Sequence, residues 1–133
     1  MSSITFSKKD LNSLVDHHIA LLERFGISDE APFSIIYFSL RDKEEVDNIE
    51  VFQKILRQTD ALFQVKNAYA VMLPGTDWNG ATELLSGIQD FLNQEPEDNI
   101  VSFPEDGTSS KVLLRKLENL IEDNSGDIVK LMK

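Results

Sequence analysis

A chain of 133 residues with 41% hydrophobic and 27% charged residues has the size and composition of one folded domain with a real core. Its net charge of -10, with thirteen basic residues scattered among twenty-three acidic ones, argues against a nucleic-acid binder, which needs clustered Lys and Arg. The absence of cysteine excludes disulfides, thiolate metal sites and cysteine nucleophiles. No apolar run approaches the ~18 residues of a membrane span, and Met1–Lys9 lacks the apolar stretch of a signal peptide, so the expected location is the cytoplasm.

Leu11, Leu14, Val15, His18, Leu22 and Phe25 recur at helical spacing and predict a helix over 8–25. Ser7, with Asp10 three residues on, is its expected cap, and Gly26 its stop. Phe33–Leu40 is rich in β-branched and aromatic residues and apolar almost throughout. It is the expected central strand of a mixed sheet, buried on both faces and flanked by the two strands of a hairpin. A charged loop, Arg41–Asp47, and a helical face of Ile49, Phe52, Ile55 and Leu56 follow. Strand patterns at 60–65 and 68–73 form the hairpin, which Pro74-Gly75 ends. A helix over 79–92, capped by Asp77, turns Ala81, Leu84, Leu85, Ile88, Phe91 and Leu92 to one face. After an acidic loop, Gln94–Asn99, come a strand at Ile100–Phe103, a turn at Pro104–Gly107, a helix marked by Leu113, Leu117, Leu120 and Ile121, and a final strand at Ile128–Met132. Ile35, Phe38, Leu84, Ile88, Leu113 and Leu117 are expected in the core. With no internal repeat or linker, residues 1–133 read as a single α+β domain.

The segment from Arg57 to Pro74 carries a more specific signal. Arg57-Gln58-Thr59-Asp60 leads into the hairpin, and Tyr69-Ala70-Val71-Met72-Leu73-Pro74 leaves it. This arrangement resembles the central hairpin of a GGDEF (diguanylate cyclase) domain. The turn between the strands, Val65-Lys66-Asn67-Ala68, is one residue short of the family's and lacks its sequence. The likeness extends along the chain. Leu11-Asn12-Ser13-Leu14-Val15-Asp16-His17-His18 matches the family's first helix in its leucines. Phe38-Ser39-Leu40-Arg41-Asp42 stands where an Asp-x-Asp strand end would be, and Ser102–Gly107 and Gly126–Val129 resemble the family's closing elements. The implied fold is GGDEF-like (nucleotide-cyclase-like): a mixed sheet with a ferredoxin-like βαββαβ core, flanked by helices.

The same resemblance implies that the chain is not an enzyme. Joining two GTP molecules needs divalent metal to neutralise triphosphate charge, and hard metals need carboxylate oxygens. Ser39 replaces the first Asp, Arg41 the second, and Asn67-Ala68 the acidic pair of the turn. No catalytic residue, metal ligand or cofactor is therefore assigned. The adjacent His17 and His18 point about 100° apart on a helix and cannot chelate one metal together. His18 is expected partly buried and His17 solvated. The acidic run Asp42–Asp47 lacks the glycine and spacing of a calcium loop.

One ligand-binding remnant is present. In the family, Arg-x-x-Asp is the inhibitory site for cyclic di-GMP, so the resemblance implies a ligand site at Arg57 and Asp60. Lys66 is the one nearby cation able to replace the family's second arginine, whose position falls near Gly87. The bland alternative is a helix-end Arg paired with a strand-start Asp. Two functions are thus expected. The first is a non-catalytic regulatory or protein-interaction module in bacterial signalling, with an unidentified protein partner and with Trp78 and Phe63 as candidate contact residues. The alternative is a cyclic di-GMP receptor acting through Arg57-x-x-Asp60. An active nucleotide-converting enzyme with unusual ligands is the third.

Overall fold

The computed structural model describes residues 4–39, 54–65, 68–95 and 97–132. The predicted loop at 41–47, the helical face positions 49 and 52, and Lys66 lie outside these residues. A five-stranded sheet has the order β1-β3-β4-β2-β5. Its strands are β1 (Ile4–Ser7), β2 (Phe33–Ser39), β3 (Ala61–Val65), β4 (Ala68–Pro74) and β5 (Ile100–Phe103). β1 pairs parallel with β3, and the other three pairings are antiparallel, so the sheet is mixed. The helices are α1 (Leu11–Arg24), α2 (Trp78–Phe91) and α3 (Ser110–Ser125). Lys54 and Ile55 are also helical. β2 and β3 run parallel with β4 between them, and β4 and β5 run parallel with β2 between them, which makes two interleaved split crossovers.

Alternation along the strands builds two cores. Phe33, Ile35 and Tyr37 of β2 and Ala68, Ala70 and Met72 of β4 face α1 and α3. Ile36 and Phe38, with Tyr69, Val71 and Leu73, face α2 and Leu56. All six residues from Phe33 to Phe38 and from Ala68 to Leu73 are buried, which is why both strands read as continuous apolar runs. Phe33 stacks on Phe103 across β2 and β5, with ring centroids 5.0 Å apart.

Several expectations change. β4, not β2, is the middle strand, and β2 lies between β4 and β5. The physical reason is the hairpin. Val65 pairs directly with Ala68, so β3 and β4 are joined by two residues and must be neighbours, leaving no room for a third strand between them. β1 was not expected at all. Its alternation spans only four residues, and its anchor is a ring stack of Phe6 on Phe63 at 5.4 Å. The first helix opens with a 3-10 turn at Lys8–Asp10. Ser7 does not cap it, and donates its hydroxyl instead to the Asp10 carboxylate at 3.3 Å. Asp77 does cap α2, accepting from the Gly80 amide at 2.9 Å. The buried stripe of α2 and its cap is Ala81, Leu85, Ile88 and Leu92, so Leu84 and Phe91, two turns apart on one flank of the stripe, are only partly buried and 54% exposed respectively. The other five predicted core residues are buried.

The expected last strand does not form. Gly126, in the left-handed region at φ 81°, closes α3 and turns the chain back along it. The Leu131 amide then donates to the Glu118 carboxylate of α3 at 2.7 Å rather than to the free edge of β5. Leu131 is fully buried in the core beneath α1 and α3, and Ile128 is 75% exposed. Leu131→Ala should therefore lower the unfolding free energy by about 2–5 kcal/mol. Ile128→Ser should change it by less than about 0.5 kcal/mol. Urea denaturation of the two variants checks this reading of the tail.

Candidate functional site

The two ends of the sheet hold the residues singled out in the sequence. At one end β2 finishes beside the start of β4, and Ser39 pairs with Ala68. The residues expected to replace two metal-binding positions are thus brought side by side, and neither carries a carboxylate. The Ser39 carbonyl accepts a hydrogen bond from the Gln94 side-chain amide. Among the described residues, no three His, Asp or Glu side chains are grouped to hold a metal ion.

Arg57 and Asp60 lie at the opposite end, where β3 begins and β4 finishes. The Asp60 side chain is 3% exposed, and Arg57 surrounds it. Asp60 Oδ2 accepts from the Arg57 amide at 2.8 Å and from Nε at 3.3 Å, and Oδ1 accepts from Nη2 at 2.9 Å. Nη2 also reaches the Pro74 carbonyl at 2.8 Å and Thr76 Oγ1 at 2.9 Å. A buried carboxylate is tolerated only when its lone pairs are met, and here one arginine meets them. The structure therefore gives Arg57 a tying role that goes beyond a helix-end ion pair. It fastens the entry to β3 onto the exit from β4. The network continues inward, since the Thr76 carbonyl accepts from Ser34 Oγ at 2.8 Å, and Ser34 pairs with Ser102 Oγ at 2.8 Å. Val65, next to Lys66, stands at the far end of β3 from Asp60, about 17 Å along the strand.

A cavity of about 210 Å³ opens beside this corner, and Phe6, Leu14, His17, His18, Thr59 and Asp60 help to line it. Its pairing of a helix face with the Arg-x-x-Asp corner was not foreseen, because residues 17 and 60 are brought together only by the sheet order. His17 is exposed and His18 half-buried, as expected. The His18 ring meets Phe33 edge-on at 5.1 Å. Burial, with the charge of His17 second, pulls the His18 pKa below its ordinary 6.5. Phe63, expected as a contact residue, is fully buried beneath Phe6 and is not one, whereas Trp78 is 40% exposed. Two polar residues of the first-helix motif have structural work. Asn12 accepts from Ser110 Oγ at 2.5 Å and Asp16 from the Ser110 amide at 3.2 Å, which anchors the start of α3.

The chain is similar to a solved structure, a sensory box/GGDEF family protein from Caulobacter crescentus CB15. The likeness covers 91% of this chain and 93% of that one, with a TM-score of 0.61 and 14% sequence identity. At that identity it shows a GGDEF-like fold and nothing finer. No protein-family model matches the chain, and no curated protein matches it. Among the described residues no helix is long and apolar enough to cross a membrane.

Two outcomes follow from the Arg57 corner and its cavity. Arg57→Ala strips a buried carboxylate of its side-chain partners and should destabilise the protein by about 1–3 kcal/mol in urea denaturation. The fold disfavours the charged form of His18, so its contribution is fully present above pH 6.5 and is lost as the pH falls through the lowered folded value. Thermal melts between about pH 7 and pH 5 should fall less steeply for His18→Gln than for the native chain.

Proposed function

We propose that this chain is a non-catalytic GGDEF-like module that regulates or recruits a protein partner in bacterial signalling, in the cytoplasm. One observation carries the reading. In a fold similar to a GGDEF-family structure, the strand end where metal-assisted chemistry would be built pairs Ser39 with Ala68. A hydroxyl and a methyl group cannot neutralise triphosphate or hold a hard cation in the place of carboxylates. A core complete on both faces of the sheet, with that chemistry absent, fits a protein kept for its surface.

The second reading is a cyclic di-GMP receptor at Arg57 and Asp60. Two observations favour it. Arg57 remains 54% exposed, and a cavity of about 210 Å³ adjoins Asp60. Against it, Nε and Nη2 of Arg57 and both oxygens of Asp60 are already committed to one another, to Pro74 and to Thr76, which leaves a ligand only Nη1 and the exposed face of the guanidinium.

Incubation with GTP and magnesium or manganese should yield no cyclic di-GMP. Product that disappears on Ser39→Ala would overturn the non-catalytic reading. Calorimetric titration of the unmodified protein with cyclic di-GMP at low salt separates the two readings. Absence of heat at high micromolar ligand removes the receptor.

A further inference from the structure

We propose that the cleft between the start of α2 and α3 docks a cationic segment of a partner protein, with one of its arginines stacked on Trp78. This rests on the interaction-module reading and names its surface. The cleft encloses about 630 Å³, with Ile100 and Leu120 among its apolar lining and Trp78 on its wall. Trp78 is the first residue of α2 and keeps 40% of its surface in solvent. A large ring left exposed over an apolar floor is the kind of anchor that dominates protein interfaces.

The charge around that ring selects the occupant. Four carboxylates line the cleft, from Asp77, Asp98, Glu105 and Asp106. Asp77 is committed to the α2 cap, and Asp106 accepts from the Ser102 amide at 2.8 Å and pairs with Lys116 at 2.5 Å. Lys116, the only cation lining the cleft among the described residues, is thereby neutralised. Asp98 and Glu105 are both exposed, and no described residue pairs with either. The positive end of α2 is met by its own cap and does not offset them. The cleft therefore offers an exposed indole together with two exposed carboxylates that no described residue pairs with. A guanidinium satisfies both features at once, stacking on indole and forking onto carboxylate, where an ammonium satisfies only the charge. A second copy of this chain does not fit, because its own net charge is -10 and matching clefts would set acid against acid.

The chain contains a single tryptophan, so Trp78 emission reports occupancy of this cleft alone. Titration of the whole protein with a hexa-arginine peptide at low salt should change that emission saturably, and the response should weaken as salt is raised. Hexa-glutamate should leave it unchanged. The double variant Asp98→Asn with Glu105→Gln should weaken hexa-arginine binding about threefold to tenfold. A matched variant, Glu23→Gln with Asp90→Asn, removes the same charge from α1 and from the far end of α2, about 18 Å from Trp78. It should keep affinity within about twofold. A silent Trp78, or equal weakening in both double variants, overturns the proposal. If the protein that gives this result still makes no cyclic di-GMP from GTP, the cleft alone is wrong and the non-catalytic reading stands.

Discussion

Burial of the sheet on both faces is the constraint from which the rest of this structure follows. β2 and β4 give six consecutive residues each to the interior, so neither face of the central sheet is open to a ligand. Polar groups inside it must find each other. Ser34 and Ser102, both almost wholly buried, share a hydrogen bond of 2.8 Å across β2 and β5 and pass it on to the Thr76 carbonyl. Any function is therefore confined to the two ends of the sheet, the connecting loops and the outer surfaces of the helices. At one end stand Ser39 and Ala68, and at the other Arg57 and Asp60.

The Arg57 corner shows how one motif serves two kinds of chemistry. A buried carboxylate that keeps its charge needs donors, and a guanidinium supplies them in a fixed fork. A guanine acceptor edge and a neighbouring strand's carbonyls compete for the same guanidinium N–H groups. In this chain the fork closes inward. It spans 17 residues to the Pro74 carbonyl and 19 to Thr76, and so joins the loop before β3 to the loop before α2. The motif's presence in a sequence cannot distinguish the two uses, because both need the same residues at the same spacing. Here the neighbouring loop offers the arginine two acceptors, the Pro74 carbonyl and Thr76 Oγ1.

Local signals in the sequence were legible, and long-range ones were not. The helices around Leu11, Ala81 and Leu113, the hairpin strands and the Asp77 cap each rest on periodicity or on partners within a few residues. The edge strand β1 escaped because four residues carry too little alternation, and because its stability comes from Phe63, 57 positions away. The tail escaped for a related reason. Ile128–Met132 has strand-like composition, but its backbone is satisfied by Glu118 of the preceding helix. Asn12 and Asp16 look like drifted motif positions until Ser110 is brought against them from 98 and 94 residues away. The cavity beside Asp60 is invisible for the same reason, since strand order alone sets His17 and His18 across from it.

The changes at the hairpin end also bear on stability. Carboxylates clustered to hold a divalent cation repel one another whenever the cation is absent, and a protein that keeps them without using them carries that cost permanently. Ser39 beside Ala68 carries no such charge, and the strand end can close on its own hydrogen bonds, including that from Gln94 to the Ser39 carbonyl. The opposite holds at the Arg57 corner, where the charged pair is locked into the loop network and loss of Arg57 strands a buried carboxylate. An uncharged pair at one end, Ser39 beside Ala68, and a tightly satisfied charged pair at the other both accord with the cost of placing charge against a fully buried sheet.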